Sequence, residues 1–129
     1  MKVFLVEDSK VVRERLRGMM ACIPDIELVA EVDNEGDAMR GICTVLPDVV
    51  ILDLTLVVGS GMEVLRRIRL QPISILVIVL TNYSQPQYQK KCLELGADYF
   101  LDKSKEIPEL GELLTRLVER FKKAAVKYN

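Results

Sequence analysis

The amino-acid sequence predicts a doubly wound α/β domain: a five-stranded parallel sheet in the order 2-1-3-4-5, with five helices packed on its faces. Three observations carry this. Short β-branched runs alternate with longer stretches of helical periodicity. The runs at 49–52 and 75–80 are apolar almost throughout, as in parallel strands covered on both sides. Finally, 129 residues suit one domain, 1–129, which can bury about two-thirds of its unfolded surface without disulfides or metals.

The elements follow in order. Val3–Val6 is the first strand, and Val12, Leu16 and Met19 mark the apolar stripe of the first helix. Leu28–Val32 is the second strand, followed by a helix carrying Ala38, Ile42 and Val45. Val49–Leu52 is the third, and Met62, Leu65 and Ile68 line the helix after it. Ile75–Leu80 is the fourth. Ser84 is placed to cap the next helix, with Pro86 just inside it, a stripe of Tyr88, Cys92 and Leu95, and Gly96 at its end. Tyr99–Leu101 is the fifth strand. Pro108 suits the first turn of the last helix, whose stripe is Leu110, Leu113, Leu114, Leu117, Val118 and Phe121. Right-handed crossovers then put the ligand site at the carboxyl ends of strands 1 and 3.

Composition narrows the chemistry. Lys and Arg total 18 against 19 Asp and Glu, a net charge of −1 that opposes direct binding of nucleic acid. The absence of His excludes imidazole bases, His-containing triads and His-ligated metals. Cys22, Cys43 and Cys92 form no C-x-x-C pair and read as free thiols, while Met19, Met20, Met39 and Met62 read as packing residues. The longest apolar run, Ile75–Leu80, is far too short to span a membrane, and no secretory signal is evident. The expected location is the cytoplasm.

Chemistry collects at the carboxyl edge of the sheet. The first strand runs into Glu7 and Asp8, the third ends in Asp53, the fourth in Thr81, and Lys103 lies just past the fifth. Three neighbouring carboxylates repel unless a cation offsets them, and a hard ion such as Mg²⁺ suits oxygen donors. An ammonium and a hydroxyl beside a metal suit a phosphoryl group, and a carboxylate can itself act as nucleophile. Asp53, central in the sheet, is the candidate. Singly, each of these residues reads as a strand end, a cap or a surface charge; their convergence reverses that reading.

Together these residues resemble the receiver domain of two-component response regulators, a flavodoxin-like fold, over essentially the whole chain. The acidic pair Glu7-Asp8, the acceptor Asp53, Thr81, and Phe100 just before Lys103 all fall in register with that family, as do Gly61 and the Gly96-Ala97-Asp98 turn. The resemblance implies that Asp8, Asp53 and the backbone carbonyl of Thr55 bind Mg²⁺, with Glu7 acting directly or through water. It implies that Asp53 takes a phosphoryl group from a sensor histidine kinase or histidine phosphotransfer protein, and that Lys103 pairs with the new phosphoryl oxygens. Thr81 and Phe100 would be the switch residues, altering the surface of helix 4, strand 5 and helix 5 toward an unknown downstream protein. Such a domain catalyses its own phosphorylation and dephosphorylation without turning over an external substrate, so its standing as an enzyme is open.

The chain departs from the family's pattern at two places where Pro is common, Val57 and Ser104, which leaves the loop shapes and the isomer of the Lys103–Ser104 bond open. Thr55 and Tyr83 hold the positions that tune hydrolysis of the acyl phosphate. Neither offers a carboxylate or amide, so slow self-dephosphorylation is expected. Asp98 and Asp102 read as turn and surface residues. The cations Arg116, Arg120, Lys122, Lys123 and Lys127 read as a solvated helix face ahead of a docking face. The expected output is a stand-alone receiver, monomeric or weakly dimeric, with no output domain and no membrane contact. The alternatives are the excised receiver of a DNA-binding regulator, a phosphorelay intermediate, a non-phosphorylated pseudo-receiver, and a flavin or nucleotide binder.

Overall fold

A computed structural model describes residues 1–105 and 107–128, with side chains through residue 125. The elements are β1 (Lys2–Val6), α1 (Lys10–Ala21), β2 (Glu27–Val32), α2 (Glu35–Val45), β3 (Val49–Leu52), α3 (Gly61–Arg69), β4 (Leu76–Thr81), α4 (Pro86–Glu94), β5 (Tyr99–Asp102) and α5 (Ile107–Tyr128). All strand pairs are parallel, in the order β2-β1-β3-β4-β5, as expected. Alternation along the strands divides the core into two layers. Phe4, Val6, Val50, Leu52, Val77 and Val79 face α2, α3 and α4, whereas Val3, Leu5, Val49, Ile51, Ile78 and Leu80 face α1 and α5. Met20 and Met39 are buried and Met19 and Met62 half-buried, so the methionines do pack the core.

Three local readings need correction. Ser84 does not cap α4: the N-cap is Gln85, without a side-chain cap bond, and Pro86 opens the helix with its preset φ. The α4 stripe is incomplete, because only Cys92 is buried while Tyr88 stands exposed, its ring edge-on to Tyr83 at 5.8 Å. Asp102 is not a surface residue; it closes β5 and is 7% exposed. Gly96 does follow α4 in the left-handed region, at φ +104°. Arg116, Arg120, Lys122 and Lys123 are exposed on α5, where Lys122 pairs with Asp25 at 2.6 Å; the Lys127 side chain lies outside the described residues.

Candidate phosphoryl-transfer site

Strand register brings the predicted residues together. Val6 lies opposite Leu52 and Leu52 opposite Val79, so the residues that follow β1 and β3 emerge side by side. The ladder continues past the strands: the Glu7 N–H donates to the Val32 carbonyl, that of Asp53 to Val6, and that of Lys103 to Thr81, each at 2.9 Å. Rigid backbone therefore aims Glu7, Asp53 and Lys103 before their side chains are considered. Gly61 lets the chain return close to this edge, since a Cβ there would stand 1.9 Å from the Asp53 carbonyl oxygen.

The side chains form a buried cluster. Lys103 Nζ lies 2.8 Å from both Glu7 carboxylate oxygens and 2.9 Å from Asp53 Oδ2. Glu7 Oε1 also accepts the Ser9 N–H at 3.1 Å, and Asp53 Oδ1 accepts that of Thr55 at 3.2 Å. Carboxylate oxygens of Glu7, Asp8 and Asp53 all lie within 4.8 Å of one another. One ammonium against three carboxylates leaves the cluster short of positive charge. Burial raises the Glu7 carboxyl above its usual range, and Asp53 adds to that against the pull of Lys103. Burial alone would lower the Lys103 ammonium; its bonds to Glu7 and Asp53 outweigh this and hold it above its usual value. Hard oxygen donors with a deficit of positive charge fit Mg²⁺, and no softer ligand stands among them.

A cavity of about 300 Å³ opens over the cluster, lined by Asp8, Asp53, Thr55, Tyr83 and Lys103. Thr55 and Tyr83 thus line the same cavity as Asp53. Thr81 is fully buried, its Oγ1 accepting the Tyr83 N–H at 3.2 Å. Phe100 does not line the cavity; it is half-buried, packed against the α2–α3–α4 layer. The Lys103–Ser104 peptide is trans, since the described residues contain no cis bond.

Two residues escaped the sequence reading. Asp102 Oδ1 accepts both the N–H of Ser104, at 2.8 Å, and its hydroxyl, at 2.6 Å. Those two hydrogen bonds, with the nearby Ser84 hydroxyl, hold its carboxyl down at about 2. Glu35, at the start of α2, accepts the Ser60 N–H at 2.9 Å from the loop after β3.

A five-stranded parallel sheet with an acidic cluster and a lysine at its carboxyl edge defines a phosphorylation switch of the receiver type. The family model of the response regulator receiver domain matches residues 3–115, and the chain belongs to that family. It is 31% identical over 125 residues to a protein-glutamate methylesterase/protein-glutamine glutaminase of Clostridium acetobutylicum, covering 95% of this chain and 36% of that protein. It is 30% identical over 110 residues to the DNA-binding transcriptional activator DevR/DosR of Mycobacterium tuberculosis, covering 85% and 51%. The fold superimposes on a LuxR-family DNA-binding response regulator from Staphylococcus aureus with a TM-score of 0.83 and 32% identity, covering 91% of this chain and 98% of that one. The chain spans 36–59% of the length of the three curated relatives it matches first. Receiver domains bind Mg²⁺ at an acidic cluster of this kind and receive phosphoryl groups from histidine kinases. Among the described residues, no helix is long and apolar enough to cross a membrane.

Proposed function

We propose that Asp53 is the phosphoryl acceptor of this receiver. The observation that carries the proposal is the placement of Asp53: a carboxylate 4% exposed, ending the central strand, 2.9 Å from Lys103 and within one cluster with Glu7 and Asp8. A carboxylate oxygen of Asp53 attacks phosphorus in the donor's phosphohistidine. The new O–P bond forms as the P–N bond breaks, and the imidazole nitrogen keeps the electron pair and takes up a proton. Asp8, Asp53 and the Thr55 carbonyl would hold Mg²⁺, which when bound neutralises charge on the transferred group. Both Glu7 oxygens are engaged by Lys103, and Oε1 also by Ser9, which favours Glu7 acting through water. Lys103 is placed to exchange its contact with Asp53 for the new phosphoryl oxygens. Thr81 then reorients toward them and Phe100 turns inward, changing the α4–β5–α5 surface.

Phosphoryl donors of this reading are a sensor histidine kinase or a histidine phosphotransfer protein, and the output is a protein target that recognises the switched surface. The DNA-binding names of several relatives favour a second reading of the output, in which this chain is the receiver of a DNA-binding regulator. Thr55 and Tyr83, which line the cavity with Asp53, offer no carboxylate or amide of their own to orient an attacking water. The acyl phosphate is therefore long-lived. The test is intact mass after incubation with acetyl phosphate, with and without Mg²⁺, beside Asp53→Asn. A single Mg²⁺-dependent phosphoryl adduct on the wild type, missing from the variant and decaying over minutes or longer, supports the reading. No adduct on folded wild type refutes it, and decay within seconds refutes the assignment to Thr55 and Tyr83.

A further inference from the structure

We infer that Glu35 is a positioning residue for this site: its carboxylate fastens the loop between β3 and α3 through Ser60 and so fixes the Thr55 carbonyl beside Asp53. The inference rests on the reading that this carbonyl serves Mg²⁺.

The far side of the loop, residues 57–59, has little of its own to hold its shape. Val57 and Val58 are 85% and 65% exposed and contribute little packing, and Val57 stands where the receiver pattern commonly has a ring-constrained Pro. Leu54 and Leu56 are buried and anchor the near side. The far side is held from α2. The Glu35 N–H donates to the Val58 carbonyl at 3.2 Å while its Oε1 accepts the Ser60 N–H at 2.9 Å, so one residue grips the loop at two points. Oε2 is steadied by Arg67 of α3 at 3.5 Å. Asn34, just before Glu35, pairs with Val58 in a parallel bridge. Contact is so close that Gly59 has no room for a side chain: at φ +89°, a Cβ there would lie 2.4 Å from the Glu35 Cβ.

Ser60 transmits the grip. It faces Thr55 across an antiparallel bridge, closed by the Gly61 N–H donating to the Leu54 carbonyl at 2.9 Å. Ser60 is also the N-cap of α3, its hydroxyl accepting from the Glu63 N–H. A carboxylate on the Ser60 N–H therefore makes a charge-assisted bond at the positive end of a helix. Glu35 is thus one bridge away from Thr55, which lines the cavity with Asp8 and Asp53. A residue that only solvates or stabilises the loop would alter melting and leave metal affinity alone.

The test is Mg²⁺ titration of the full, unphosphorylated chain, followed by amide chemical shifts in NMR spectra. Loss of a direct outer partner of a metal ligand weakens affinity by about tenfold or more; Glu35 acts one bridge further out, so a smaller loss, about threefold or more, is expected for Glu35→Ala in folded protein. Glu35→Gln, which keeps an acceptor for the Ser60 N–H but loses the charge, should fall between wild type and Ala; it carries the test alone if the Ala variant does not fold. Asp37→Ala, in the same helical turn, should bind as wild type does. Asp8→Asn reports on the site itself and should lose binding. Wild-type affinity in the Glu35 variants, with Asp8→Asn still defective, overturns the inference and leaves the site intact. A wild type that binds no Mg²⁺ overturns both.

Discussion

Lys103→Met removes an ammonium that lies 2.8 Å from Glu7 and 2.9 Å from Asp53, with side-chain exposures of 8%, 2% and 5% for the three residues. At an effective dielectric of about 20, each contact is worth roughly 6 kcal/mol of gross Coulomb energy. Desolvation of the ammonium offsets several kcal/mol of this in the native chain. Methionine fills similar volume, so the net loss is that of leaving two carboxylates buried and unpaired, about 3–5 kcal/mol. At about 4 °C per kcal/mol for a domain of this length, melting without Mg²⁺ should fall by about 12–20 °C.

The pH dependence separates this cause from lost packing. Glu7 in the folded protein titrates above the ordinary glutamate value of 4.5, through burial reinforced by Asp53. The folded state therefore binds the extra proton, and stability is gained as pH falls through the folded value toward 4.5. Without Lys103 that gain is larger, so the gap between wild type and variant narrows from pH 7.5 to pH 5. At the alkaline end, the raised Lys103 pKa makes its contribution complete below 10.5 and lost above the folded value, so the two proteins converge there as well. Adding Asp53→Asn to Lys103→Met should recover much of the loss, because one fewer charge is left unpaired. Circular dichroism melts across pH provide the assay. A variant that melts within about 4 °C of wild type at pH 7.5, with the same gap at pH 5, would refute the pairing argument.

Two further outcomes follow from close contacts. Gly61→Ala puts a methyl where the Asp53 carbonyl oxygen stands 1.9 Å away, and backbone must shift. Both melting temperature and phosphorylation by acetyl phosphate should drop, and a variant equal to wild type in both would show the loop relaxes freely. Asp102, held down to about 2 by the Ser104 and Ser84 hydroxyls and the Ser104 N–H, contributes stability that is complete above the ordinary aspartate value of 3.8 and lost as pH falls through about 2. Asp102→Ala should therefore be less stable than wild type at pH 5, by a margin that shrinks steadily below pH 4 in denaturant titrations. A constant margin would remove Asp102 from the acid transition.

The sheet was legible because its strands are short apolar runs whose ends carry all the unusual polar residues. Glu7, Asp53, Thr81 and Lys103 needed only a strand order to be brought to one edge, and general rules for parallel sheets supply that order. What stayed hidden depends on partners remote in the chain. Glu35 reaches Ser60 across 25 residues, and no local pattern marks that bond. Asp102 looks like any aspartate beside a lysine until β5 extends one residue further and buries it. Tyr88 misled for the opposite reason: its spacing to Cys92 is helical, but α4 buries only Cys92 and leaves the ring outside.

The hidden residues stand next to the chain's departures from the receiver pattern, and the two facts have a common physical basis. A proline restrains a loop through its own ring and binds it to nothing else. Val57 and Ser104 lack that ring, and in each case a carboxylate supplies the restraint through backbone N–H groups. Ser104 must keep its N–H free to donate, which a proline there would remove. Unlike a ring, the Glu35 carboxylate also reaches another segment, tying α2 to the loop carrying Thr55, while Asp102 at the end of β5 holds Ser104 just past Lys103 by two hydrogen bonds. In the switch proposed above, the α4–β5–α5 surface changes, and Asp102 at the end of β5 lies within it. Asp102→Ala should therefore alter the balance between the two states as well as stability, whereas Glu35→Ala should leave that balance unchanged. Amide chemical shifts of β5 with and without phosphorylation provide the check, and identical shifts in Asp102→Ala and wild type in both states would refute it.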